Sequence, residues 1–138
     1  MRDTTKVISS YTVVKLPLSK LRPSEEINVE AGRMLAMTIA EKGQWIRPLL
    51  IENRHWVIMD GHHRHFGATL LRLSFVPCVL LSYGDTNLHV TYWSDPAPFP
   101  VDRIIQAGLS GNLMSFKTTR HHLRVPLPTC AVDLDDLR

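Results

Sequence analysis

Apolar residues recur at two periods along this chain, and the places where one gives way to the other predict its elements. Tyr11 to Leu21 is β-branched and apolar with Pro17 inside it, which predicts a strand over Thr12–Leu16, a turn and a second short extended piece. Arg22-Pro23-Ser24-Glu25-Glu26 breaks the pattern and reads as a loop. Ala31, Leu35 and Ile39 then fall four residues apart with Met34 on the same face. A helix is therefore expected from an Asn28 N-cap to about Lys42, stopped by Gly43, with Met34 and Met37 as packing residues. Pro48-Leu49-Leu50-Ile51 is a short strand that Glu52-Asn53-Arg54 turns into a second one at Trp56–Met59. Residues 62–73 read as a helix and Val76–Leu81 as another strand, with a turn at Ser82–Asp85.

The remainder is less regular. Val90–Trp93 reads as a strand, and Asp95–Pro100, with three prolines in six residues, as a stiff connector. Val101, Ile104, Ile105 and Leu109 have helical spacing, which Gly108 or Gly111 would end. Lys117–His122 is basic and hydroxyl-rich, the tail is acidic, and residues 1–10 look like a ragged polar start. The order strand, helix, hairpin, helix, strand predicts an α+β fold, a small mixed sheet with helices packed on it. No GxGxxG and no parallel βαβ series point to a Rossmann unit.

Composition narrows the picture only a little. The 138 residues suit one compact unit, and 44% hydrophobic residues suffice for a core. A net charge of +3 suits any anionic ligand, from nucleotide to nucleic acid. Cys78 and Cys130 are far apart and lack CxxC spacing, which argues against a disulfide framework or a zinc ribbon. Neither a signal-peptide pattern nor a long apolar run is visible, so a cytoplasmic protein with no membrane association is the expectation.

The most informative residues are Asp60-Gly61-His62-His63-Arg64, at the junction of a predicted strand and a predicted helix. The amides of a helix's first turn have no intrahelical acceptor, and the helix dipole is positive there, so such a junction suits phosphate. Gly61 lets the backbone come close to an anion, His62, His63 and Arg64 can donate to its oxygens, and Asp60 could hold Mg²⁺. The alternative is a tight turn with Asp60 as N-cap and solvated histidines. A zinc site is disfavoured, because neighbouring helix positions point about 100° apart and no cysteine completes a set with His62 and His65.

The succession of strand, acidic loop, helix, proline-led strand, hairpin and Asp-Gly-His-His-Arg at a helix start resembles the ParB/sulfiredoxin superfamily over about residues 12–83. Sulfiredoxins carry a catalytic cysteine where this chain has His62, and partition ParB proteins carry a different motif followed by a helix-turn-helix. The Asp60–Arg64 form is most similar to the free L-serine kinases of the superfamily. That resemblance implies a core over residues 1–84 binding ATP or ADP through Gly61, His62, His63 and Arg64, with Mg²⁺ at Asp60. It implies Glu25 as catalytic base, Glu26 if the register slips by one, with Asp60 also catalytic. It further implies that residues 85–138 complete a serine site with Trp93, Lys117, Thr118, Thr119, Arg120 and His121. The archetypal serine kinases have a substantial extra domain between the tryptophan and the basic segment, where this chain has 23 residues.

Two other functions compete with a kinase giving O-phospho-L-serine. A nucleic-acid-binding or nuclease-like module would use the basic run from Lys117 to Arg124, but aromatic residues are only 7% of the chain, few for base stacking. A non-catalytic nucleotide-binding domain would use the same loop without turnover.

Overall fold

The structure, a computed structural model, describes residues 11–138; the polar start expected over residues 1–10 lies outside them. Its central sheet has four strands: β1 (Val14–Pro17), β3 (Leu49–Glu52), β4 (Ile58–Asp60) and β5 (Phe75–Leu81), in the order β1-β5-β3-β4. β3 and β5 are parallel, with Leu50 opposite Val79, and the outer strands are antiparallel to them. The crossover between the parallel strands carries α2 (His62–Leu70), which packs on α1 (Val29–Lys42). Glu52 closes the β3–β4 turn: its buried carboxylate accepts the amides of Arg54 at 3.0 Å and His55 at 2.7 Å.

The period of two places apolar side chains on both faces of this sheet. Leu49, Ile51, Val76 and Cys78 join one buried cluster with Ile39 of α1 and Ala68 of α2. Leu50, Val79 and Leu81 join a second cluster with Leu88, Val90, Phe99 and Ile104 from the later chain. The later chain forms a three-stranded antiparallel sheet, ordered β7-β6-β8, from β6 (Leu88–Tyr92), β7 (Asp95–Pro98) and β8 (Thr119–Leu123), with α3 (Val101–Ser110) between β7 and β8. A short pair, β2 (Gln44–Trp45) with β9 (Val132–Asp133), ties the tail to the end of α1. The cysteines are free, and no helix among the described residues is long and apolar enough to cross a membrane.

Two expectations need correction. Asp95–Pro100 is more than a connector: its first part is β7, on the edge of its sheet, where proline's missing N–H is tolerated. The buried face of α1 is Gly32, Ala36 and Ile39, whereas Met34 and Met37 are more than 60% exposed. A Cβ on Gly32 would lie 2.5 Å from the Phe66 ring, and one on Gly67 would lie 3.5 Å from Ala36. The two helices therefore meet through their smallest residues, which a hydrophobicity pattern underweights.

Candidate functional site

β4 ends at Asp60, and Gly61 turns the chain into α2 with φ 104° and ψ 24°. L side chains rarely adopt that conformation, and a Cβ there would lie 2.5 Å from Leu49 Cδ2. Glycine at this place lets the strand run directly into the helix. No side chain caps the start of α2, so its first-turn amides open towards a cleft.

The loop before α1 crosses the mouth of this junction and is laced down on two sides. Arg22 pairs with the strand side, its amide donating to Trp56 O at 2.9 Å and its carbonyl accepting from Ile58 N at 2.9 Å. Ser24 and Glu26 pair with Met114, the Met114 amide donating to Ser24 O at 3.0 Å and the Glu26 amide to Met114 O at 2.7 Å. The two histidines bind the same loop. His62 Nε2 accepts the amides of Ser24 at 3.0 Å and Glu25 at 3.2 Å, and His63 Nε2 accepts that of Asn28 at 3.0 Å. Asn28 in turn caps α1, its side-chain oxygen accepting from Ala31 N at 3.0 Å. Burial lowers the pKa of His62 to about 3, helped by His65, His121 and His63, and burial lowers that of His63 as well.

Glu25 is the buried acid of the cleft, 9% exposed. Its Oε2 accepts the Thr119 hydroxyl at 2.6 Å and the Thr119 amide at 3.2 Å, across 94 residues of sequence. Burial raises its pKa, and the hydrogen bonds from Thr119 and from the Thr118 and Lys117 backbone act in the opposite sense.

The cleft, about 390 Å³, is lined by Glu25, Glu26, Asp60–Arg64, Trp93, Lys117, Thr119, Arg120 and His121 among others. The sequence-predicted residues thus converge, with Thr118 the exception: its hydroxyl is turned to Ser115 O, while its carbonyl accepts the Trp93 amide. Arg120 lies 4.2 Å and Lys117 5.5 Å from the Trp93 ring centre, so the indole carries both cations at the rim. Arg64 is partly desolvated and feels Asp60 nearby. His121 Nε2 is 2.9 Å from the Tyr83 hydroxyl, and burial lowers its pKa to about 4. Ser24 and Tyr83 have structural parts here that the pattern of the chain did not reveal; a serine in a loop and a tyrosine in a turn carry no distinguishing signal. A larger cavity, about 640 Å³, lies between β1 and the turn at Asp85–Asn87, but among the described residues only Asp85 and Arg124 give it charged lining.

No group of three or more histidine, cysteine or acidic residues among the described residues is placed to hold a metal by itself. Asp60 and Glu26, both in the lining of the cleft, fit Mg²⁺ in the way it usually binds, through one or two carboxylates with substrate phosphates completing the shell.

Known proteins were compared with this architecture. No protein-family model matches the sequence. A ParB-like protein of Sulfolobus acidocaldarius is 25% identical over 87 residues, 63% of this chain, and the chain spans only 43% of that relative. A free serine kinase in complex with AMP has a TM-score of 0.77 at 16% identity, with 93% of each chain covered. A glutamate-to-alanine mutant of free serine kinase in complex with ADP has a TM-score of 0.74 at 15% identity, covering 93% of this chain and 94% of that one. SbnI with a C-terminal truncation, from Staphylococcus aureus, has a TM-score of 0.74 at 10% identity, covering 91% and 89%.

Proposed function

We propose that this chain, which has the ParB/sulfiredoxin fold seen in free serine kinase, is a small-molecule kinase. It transfers the terminal phosphate of ATP or ADP to the hydroxyl of free L-serine, giving O-phospho-L-serine. The observation that carries this reading is the buried Glu25 carboxylate in one cleft with the uncapped start of α2. On this reading a base stands beside a phosphate site.

Phosphoryl transfer asks for positioning, charge neutralisation and a base for the acceptor. The amides of α2 and the Arg64 guanidinium would take the phosphates. His62 and His63 have Nε2 engaged with the loop, so each offers only an Nδ1–H. The nucleoside would lie in the adjoining groove of Ala31, Met34, Leu35 and Phe116, which shares His63 and Lys117 with the cleft. That gives exposed Met34 a part. Asp60, with Glu26 in the same lining, would hold Mg²⁺, which when bound offsets phosphate charge.

The acceptor would lie between Glu25 and the segment Lys117–His121, where residues 85–138 complete the site. Arg120 and Lys117 suit its carboxylate, and Trp93 forms the wall. Thr119 acts through Glu25, Thr118 shapes the rim through its backbone, and His121 offers its Nδ1 side. The serine oxygen attacks the terminal phosphorus as its proton passes to Glu25. The bond from phosphorus to the bridging oxygen breaks, and ADP or AMP leaves. A raised carboxyl pKa suits that proton transfer.

Phosphorus NMR with Mg²⁺, L-serine and either ATP or ADP tests this directly. A phosphomonoester signal that requires serine is expected, and Glu25→Ala should abolish it while nucleotide binding survives. Nucleotide loss independent of serine, or a near-normal rate in Glu25→Ala, would sink the mechanism.

A further inference from the structure

We infer that His62 is a positioning residue, a neutral staple that holds the Glu25 loop on the start of α2, and not a cationic phosphate ligand. The inference deepens the kinase reading and rests on it for its kinetic arm only. Two backbone amides, Ser24 at 3.0 Å and Glu25 at 3.2 Å, point at one ring nitrogen. An amide can only donate, so Nε2 must be unprotonated and the ring proton sits on Nδ1. The Ser24 hydroxyl, 3.3 Å from the same nitrogen, donates to Ile58 O at 3.1 Å and anchors the loop to β4 as well. Ile58, Ser24 and His62 thus tie strand, loop and helix together. Without Nε2 the amides of Ser24 and Glu25 lose the acceptor that sets the direction of the Glu25 Cα–Cβ bond.

The charged form is excluded by the surroundings. His63 and His65 on α2 and His121 on β8 are the titratable neighbours of the ring, and the two amides that point at Nε2 leave no room for a proton there. Protonating Nε2 would break both amide bonds. At neutral pH the cations of the cleft are therefore Arg64, Lys117 and Arg120.

Histidine tautomers read by long-range proton–nitrogen NMR test this without any substrate. His62 should show the Nδ1–H tautomer, as the two amides pointing at Nε2 require. An Nε2–H signal overturns the inference. The kinetic arm compares His62→Phe, which has no acceptor, with His62→Gln, whose amide oxygen replaces Nε2. Misplacing a reacting group by about 1 Å costs about a hundredfold in rate, so His62→Phe should lose about that in kcat with nucleotide affinity little changed. His62→Gln should recover most of it. Loss of nucleotide affinity with unchanged kcat in His62→Phe would make His62 a phosphate ligand and overturn the inference. If the chain turns over no acceptor, the kinase reading fails and the tautomer still decides the inference.

Discussion

Replacing Thr119 by valine removes one hydroxyl from the buried wall of the cleft and leaves its shape nearly unchanged. The lost bond is the 2.6 Å contact to Glu25 Oε2, while the Thr119 amide at 3.2 Å remains. A hydrogen bond to a charged group contributes about 1.5–3 kcal/mol, and the surviving amide places this case near the lower figure. The bond stabilises the carboxylate over the carboxylic acid, so it lowers the Glu25 pKa against the raising effect of burial. Without it the pKa rises further. A general base works only when deprotonated, so the acidic limb of the pH profile of kcat/KM should move to higher pH. At a fixed pH on that limb, about 1.5 kcal/mol corresponds to a rate about tenfold lower, and the two enzymes should converge on the alkaline plateau. Carbon NMR of the Glu25 carboxyl should show the same upward displacement without substrate. A limb that stays in place, or moves to lower pH, would refute this account of Glu25. An equal loss at every pH would mean that Thr119 contacts the acceptor itself.

Gly61→Ala combines a left-handed φ with a Cβ 2.5 Å from the fully buried Leu49 side chain. Left-handed backbone costs about 1–2 kcal/mol and overpacking about 1–3 kcal/mol, so thermal unfolding should occur several degrees lower; an unchanged midpoint would show that Leu49 yields freely. Arg120→Met keeps a long side chain against Trp93 but removes the cation. It should raise KM for serine with little change in the KM for nucleotide, and the reverse pattern would place Arg120 at the phosphates. Met34→Glu, on the exposed face of α1, should weaken nucleotide binding measured by titration calorimetry without altering the unfolding midpoint. Unchanged affinity would move the nucleoside out of that groove.

What the chain determined by itself is what short-range chemistry controls. Asn28 and Gly43 bound α1 because a side-chain cap and a left-handed stop act within one turn. The alternation in β3 and β5 sorted side chains to two faces because the pleat has a period of two residues. The strand-to-helix junction at Asp60–Arg64 was legible for the same reason, and with it one wall of the cleft. The place of Glu25 came from the resemblance to free serine kinases, since a carboxylate in a loop carries no periodic signal.

Tertiary structure alone decided the rest. Glu25 meets Thr119 across 94 residues because β8 is held on β6 and the loop at Ser24–Glu26 is paired with Met114. The helices α1 and α2 choose Gly32, Ala36 and Gly67 for their contact because close approach rewards the absence of side chain. His62 and His63 look alike in sequence as two basic donors. The loop folded over them makes each an acceptor, and the two amides that point at the His62 Nε2 settle its charge. A hydrogen bond's direction depends on which group lies opposite, and that is a property of the assembled chain.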